Sequence, residues 1–148
     1  MLFFTMGSFR QLLYHIIFSP AKRGRVLKGK KRIDLYSYIS TIVNNKHCRL
    51  HAINGMEDHL HMLVEIRPDI AVSDLIKDIK IASSIFIKKN DLFPGFQGWQ
   101  SGYAIFTISY GMKENVKRYI ENQQQHHCRV PFYEEYSRLI IKNGFRKN

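Results

Sequence analysis

Acidic residues are scarce in this chain: 12 Asp and Glu stand against 23 Lys and Arg, for a net charge of +11 and a pI near 9.8. Such a field draws polyanions, nucleic acid first and anionic membrane second. No stretch is amphipathic and basic enough to make the membrane the better partner. Cysteine is scarcer still. Cys48 and Cys128 are far apart and form no CxxC motif, so there is no disulfide framework to read. Two such thiols fit a reduced, cytoplasmic protein, with one disulfide between them as the alternative. Long hydrophobic runs are absent, none approaching the roughly 18 residues that span a bilayer. The opening Met1-Leu2-Phe3-Phe4-Thr5 lacks a basic flank and is too short for a signal peptide. Residues 1–6 are expected to be an N-terminal extension. There is no internal repeat, low-complexity segment or linker, so residues 7–143 are expected to form one domain, enough chain to bury a real core.

The most informative stretch is Glu57-Asp58-His59-Leu60-His61-Met62-Leu63-Val64-Glu65-Ile66. Its alternation predicts a strand. Leu60, Met62, Val64 and Ile66 make a core face, and His59 and His61 stand together on the other. Two imidazoles at i and i+2 can hold one metal ion, and a solvated or structural histidine pair is the plainer alternative. A structural zinc site is the weakest reading, because no cysteine lies near either histidine in sequence.

Around that strand the chain falls into order. Leu12 to Phe18 is apolar enough for a buried strand and stops at Pro20. Lys22, Arg23, Arg25, Lys28, Lys30, Lys31 and Arg32 follow with no acid among them. Their glycines argue for a loop, and their charge could neutralise several phosphates; a merely solubilising loop is the alternative. Leu35, Ile39 and Ile42 predict a helix over 32–45. Residues 48–54 read as a second strand, and Asn54-Gly55 as the turn of a hairpin into the histidine strand. Ser73 is a candidate N-cap for a helix carrying Leu75, Ile79, Ala82 and Phe86. Residues 103–109 read as a fourth strand. Residues 112–126 predict one long helix with Met112, Val116 and Ile120 as its packing stripe, and 132–143 a last helix. The order β-α-β-β-α-β-α-α predicts an α+β, ferredoxin-like (RRM-like) βαββαβ core. Its four-stranded antiparallel sheet has both early helices on one face and leaves the histidine face for a ligand or another element. That plan serves many functions and does not choose among them.

On the third helix Tyr119 and Gln123 are spaced i, i+4. A tyrosine so placed is usually a half-buried packing residue with a wet hydroxyl. Four stretches together are more specific. Tyr14-His15-Ile16-Ile17-Phe18 with the basic run, the His59-Leu60-His61 strand, Trp99-Gln100-Ser101-Gly102-Tyr103, and Tyr119-Ile120-Glu121-Asn122-Gln123 followed by His126-His127 resemble the single-tyrosine transposases of bacterial insertion sequences. These belong to the HUH endonuclease superfamily, and the likeness runs from about Gly7 to Tyr136.

The resemblance implies metal ligation by His59, His61 and Gln123 and a nucleophilic Tyr119. It implies Mg²⁺ or Mn²⁺ as cofactor, single-stranded DNA hairpins as partner, and cleavage and rejoining of that DNA through a covalent 5′-phosphotyrosine. It also implies a homodimer in which one subunit's tyrosine helix completes the other's site. Imidazoles suit Mn²⁺ better than Mg²⁺. With two histidines and a neutral amide the protein would bring no charge, leaving the DNA phosphate to complete the centre. Trp99 and Tyr103 are candidates to stack on bases, though an aromatic beside a strand is more often core, and Lys77, Lys80 and Lys88 are candidates for further phosphate contacts. His126 and His127 are expected to support the centre or face DNA. The competing reading is a hairpin-binding module of RRM-like fold that does not cut.

Overall fold

In the computed structural model, residues 7–127 and 129–146 are described. The expected extension 1–6, Cys128 and the end of the basic tail lie outside them. Four strands, β1 (Leu13–Phe18), β2 (Arg49–Gly55), β3 (Leu60–Glu65) and β4 (Ala104–Ile108), form one sheet in the order β2-β3-β1-β4. Every pairing is antiparallel. Helices α1 (Arg32–Asn45) and α2 (Val72–Lys89) complete the expected βαββαβ core.

Strand alternation divides the sheet into two faces. Ile16, Phe18, Leu60, Met62 and Val64 pack with Leu35, Ile39 and Val43 of α1 and Leu75, Ile76 and Ile79 of α2. Full burial of each such side chain is worth about 1.5–3 kcal/mol, so this face carries most of the stability. The opposite face is not open. Helix α3 (Lys113–Glu121) covers Ala52 and Leu63 through Ile120, and α5 (Phe132–Lys142) covers Ile17, Ala104 and Phe106 through Phe132. His59 and His61 therefore lie under a second, thinner layer.

Several local expectations change. Asn54-Gly55 is not a hairpin turn: both residues belong to β2, and Gly55 pairs with Leu60. The turn is the following segment, closed by Met56 N–H donating to His59 O at 3.1 Å. A Cβ on Gly55 would sit 2.2 Å from that same oxygen, so a glycine is required by close approach. Ser73 caps nothing; Ala71 holds the N-cap position. The long helix predicted over 112–126 breaks at Asn122, giving α3 and a short α4 (Gln123–His127). Met112 is 43% exposed and belongs to no packing stripe. Trp99 is core: it packs edge-on against Phe18 and Phe96 and donates to Ser83 Oγ at 2.9 Å. Lys80 is a clamp, donating to the carbonyls of Gln100 and Gly102.

Candidate active site

β3 delivers His61 to the second face by alternation, while His59 lies just before the strand, in the turn that Gly55 makes possible. Both rings are fully buried, and both use Nδ1 outward. His59 Nδ1 lies 2.8 Å from Asp58 Oδ1, and His61 Nδ1 lies 2.8 Å from His15 Nε2 of β1. A carboxylate or ring behind each imidazole fixes its orientation and turns Nε2 toward a common centre, the arrangement found behind metal-bound histidines. Phe132 of α5 stacks on the His59 ring at 3.9 Å between centroids and 5° between planes.

Burial lowers the His15 imidazole to about 4, so it stays neutral. Burial works to raise the Asp58 carboxyl, but the hydrogen bond and charge of His59 and the charge of Arg25 hold it below the usual carboxylate range.

Gln123, at the start of α4, brings Oε1 to 3.0 Å from His59 Nε2. Tyr119, at the C-terminal end of α3, places its ring edge-on to His61, centroids 5.8 Å apart. The helix break does not separate them. Asn54 ties the junction to the sheet through Glu121 O at 3.0 Å and a two-way amide pair with Gln124, at 2.8 and 2.6 Å. The i, i+4 reading therefore brings Tyr119 and Gln123 to the same centre, although the backbone between them is not continuous α-helix.

One member of the centre was missed from the sequence. Glu135 of α5 is 2% exposed. Its Oε1 lies 3.2 Å from His61 Nε2 and accepts from Gln123 Nε2 at 3.0 Å, and its Oε2 lies 3.8 Å from His59 Nε2. The Tyr119 hydroxyl also donates to Oε1. Burial, then the nearby Asp58 charge, pushes the Glu135 carboxyl up to about 8. A signal existed: Phe132, Glu135, Tyr136 and Leu139 are spaced i, i+3, i+4, i+7, which puts an acid in the middle of an apolar helix face.

The donor chemistry fits a divalent cation. His59 Nδ1 faces Asp58 and Nε2 faces the Gln123 carbonyl oxygen at 3.0 Å; a neutral ring with its proton on Nδ1 would set two acceptors against each other there, a pair that a cation beside them would satisfy. His59, His61 and Glu135 can each offer one ligand atom, all within 4.8 Å of one another. Separations of 3.0–3.8 Å are those of neighbouring ligands on an ion with bonds of about 2.1 Å. The expected ligand set of two histidines and a neutral amide leaves out Glu135, whose carboxyl, held near 8 without an ion, would add a charged donor once a bound cation displaced its proton.

The basic run lies on the same side. Leu27 is buried, and its N–H donates to Glu57 O in the turn before His59 at 3.0 Å. Arg25 pairs with Glu57 at 3.3 Å, and Arg23 lies over the Tyr136 ring of α5 at 5.7 Å. Lys22, Lys28, Lys30 and Lys31 are exposed, and Arg32 opens α1. Lys22 and Arg23 hold positive φ of 57° and 51°, a conformation costly for residues with a Cβ.

The sequence profile of the family described as "Transposase IS200 like" matches residues 8–123. The chain belongs to the IS200-like transposase family. It is 30% identical over 122 residues to the ISDra2 transposase TnpA of Deinococcus radiodurans, covering 79% of this chain and 87% of that one. It is 30% identical over 115 residues to the transposase for insertion sequence element IS200 of Salmonella typhimurium, covering 74% and 75%.

A crystal structure from Deinococcus radiodurans R1, described as that of a transposase, aligns with a TM-score of 0.62 at 26% identity, over 82% of this chain and 98% of that one. A REP-associated tyrosine transposase bound to a REP hairpin aligns at 0.61 and 14% identity, over 100% and 93%, and shows the shared fold. Among the described residues no helix is long and apolar enough to cross a membrane. The side chains of His126 and His127 lie outside the described ones.

The resemblance implies a site shared between two subunits. In this transposase Tyr119 and Gln123 already reach the imidazoles of their own chain.

Proposed function

We propose that this transposase cuts and rejoins single-stranded DNA at hairpin-marked ends, with Tyr119 as nucleophile and His59, His61, Gln123 and Glu135 holding Mg²⁺ or Mn²⁺. The observation that carries the reading is the convergence of a phenol, two imidazoles, an amide and a carboxylate on one buried centre. The carboxylate adds an oxygen donor to the two imidazoles, which widens the choice of ion toward Mg²⁺. The bound ion would draw charge from the phosphate oxygens and orient them.

The remaining work falls to the chain. Glu135, in the carboxylate form that a bound cation would favour, accepts the Tyr119 hydrogen bond and is the nearest group to receive its proton. The freed phenolate oxygen attacks phosphorus, a Tyr119 Oη–P bond forms, the P–O3′ bond breaks, and the departing O3′ takes up the proton that Glu135 had received. This leaves a 5′-phosphotyrosine and a free 3′-hydroxyl. Because the phosphoester is conserved, attack by another 3′-hydroxyl reverses the step and joins a new partner without a nucleotide cofactor. Asp58 and His15 keep the two imidazoles aimed. Lys22, Arg23, Arg25, Lys28, Lys30, Lys31 and Arg32 would hold the DNA backbone beside the centre. Two such chains side by side would bring two DNA ends together in the cytoplasm.

The test is covalent capture. The full chain is incubated with Mn²⁺ and labelled single-stranded hairpin DNA, then denatured in detergent. A labelled adduct that Tyr119→Phe abolishes while hairpin binding persists supports the reading. Binding without an adduct would favour a hairpin-binding module. Cleavage that survives Tyr119→Phe would point to a hydrolytic phosphodiesterase.

A further inference from the structure

A groove of about 630 Å³ is lined by residues of α3, α5 and β4, Tyr119 among them, and by neither His59 nor His61. Its floor and walls are Phe106, Val116 and Leu139, with Met112 at one edge; Tyr119 and His15 close one end. Lys142 and Asn143 of the α5 terminus form the opposite rim, joined by Thr107, Ser109 and Asn115. The size lies within the roughly 300–1,000 Å³ of small-ligand sites, and an apolar floor with few polar groups is their usual composition.

We infer that this groove is a nucleobase subsite: it takes the base of the nucleotide flanking the scissile phosphate. The inference rests on the proposed role of Tyr119, whose side chain is common to the groove and to the cation centre. A phosphate placed for attack by Tyr119 Oη carries its neighbouring nucleoside within one nucleotide's length of the groove mouth. In single-stranded DNA that base is unstacked and exposes two apolar faces. Phe106, buried and edge-on to His15 at 6.1 Å, backs the groove, and Val116 and Leu139 offer the aliphatic walls a base face would meet.

The polar rim fits a base edge and its phosphate. Asn143 donates through Nδ2 to Leu139 O at 2.8 Å, which fixes the amide and turns its Oδ1 away from that bond. Asn115 is held by Arg118, which donates to its Oδ1 at 2.7 Å. Among the described residues no carboxylate lines the groove and Lys142 is its cation, so the lining favours an anionic occupant. Carboxamides beside an apolar surface are side chains that discriminate base edges. The subsite would therefore set a base preference next to the cut that hairpin recognition alone would not supply.

The experiment uses the full chain with ¹³C-labelled methyl groups and four probes, dAMP, dGMP, dCMP and dTMP, with inorganic phosphate as control. The expected result is that methyls of Val116, Leu139, Ile108 and Met112 shift with nucleotides and not with phosphate, and that one base binds at least threefold tighter than the weakest. Lys142→Glu should weaken binding at least threefold, and Val116→Trp should abolish it. Asn143→Ala, a milder change that keeps the helix, should flatten the base preference if the bulkier variant misfolds. Methyls that move no more than those of Ile81 and Ile85, exposed on α2, would overturn the inference. So would shifts reproduced by phosphate alone. Groove shifts in a protein that forms no Tyr119 adduct would uphold the subsite and sink the proposed cleavage chemistry; an adduct without groove shifts would do the reverse.

Discussion

The hydroxyl of Tyr119 on α3 donates to the carboxylate of Glu135 on α5. The same carboxylate receives the Gln123 amide and faces both imidazoles. Helix α5 lies beyond the stretch matched by the family profile, which ends at residue 123. A metal centre built only from the matched stretch would be neutral; Glu135, deprotonated as a ligand, would make it anionic. Glu135→Gln keeps the shape and the amide partner but removes that charge. Mn²⁺ should raise the melting temperature of the wild-type protein, and the concentration needed for the same rise should be at least tenfold higher for Glu135→Gln. Thermal shift at several Mn²⁺ concentrations reads this directly, since a ligand that binds only the folded state stabilises it by mass action. An unchanged Mn²⁺ dependence would leave His59, His61 and Gln123 as the whole ligand set.

Much of this arrangement was legible in the sequence, for identifiable reasons. Period-two alternation placed Leu60, Met62 and Val64 against α1 and α2 and sent His61 to the other face. The spacing of Tyr119 and Gln123 survived the break at Asn122 because α4 continues the chain toward the same centre. What was hidden was tertiary. Asn54-Gly55 has the composition of a turn, but Gly55 is small because the chain folds back onto His59 O. Glu135 stands in the middle of an apolar helix stripe, but what that stripe packs on is set by tertiary contact, with Phe132 on the His59 ring carrying its neighbours inward. Trp99 is at the right place to stack on DNA and instead completes the core with Phe18.

Gly55→Ala tests the close approach. The added methyl would meet backbone, not a flexible side-chain end, and the oxygen it meets belongs to His59. Overpacking of this kind costs about 1–3 kcal/mol where neighbours can shift, and here the neighbour is a hydrogen-bonded strand pair. Gly55→Ala should lose at least about 2 kcal/mol in urea denaturation, and its Mn²⁺-induced thermal shift should fall as well, because the turn that positions His59 is displaced. A stability within about 0.5 kcal/mol of wild type would mean that the turn relaxes without strain.

Whether the catalytic set acts within one chain or across two has a direct test. His59→Ala and Tyr119→Phe are mixed, allowed to exchange subunits and challenged with labelled hairpin DNA and Mn²⁺. With Tyr119 reaching its own chain's imidazoles, every chain that keeps its tyrosine has lost a ligand, and the mixture should form no more adduct than either variant alone. Adduct appearing only in the mixture would show that the tyrosine helix serves the partner's site in the active assembly.

The basic loop makes a quantitative prediction about salt. Lys28, Lys30 and Lys31 are exposed, whereas Arg25 is already paired with Glu57. Each phosphate contact to a single strand contributes about 0.7 to the slope of log affinity against log salt. Replacing Lys28, Lys30 and Lys31 together by Ala should lower the slope for hairpin DNA by roughly 2, measured by fluorescence anisotropy across a salt series. Arg25→Ala should change the slope less than any single one of these lysines, because its charge is partly spent on Glu57. Melting temperatures should barely move for the triple variant, since these side chains project into solvent, while the buried Leu27 between them keeps the loop anchored. If the slope stays at its wild-type value with the fold intact, the loop is a solubilising segment and the DNA backbone runs elsewhere on the surface.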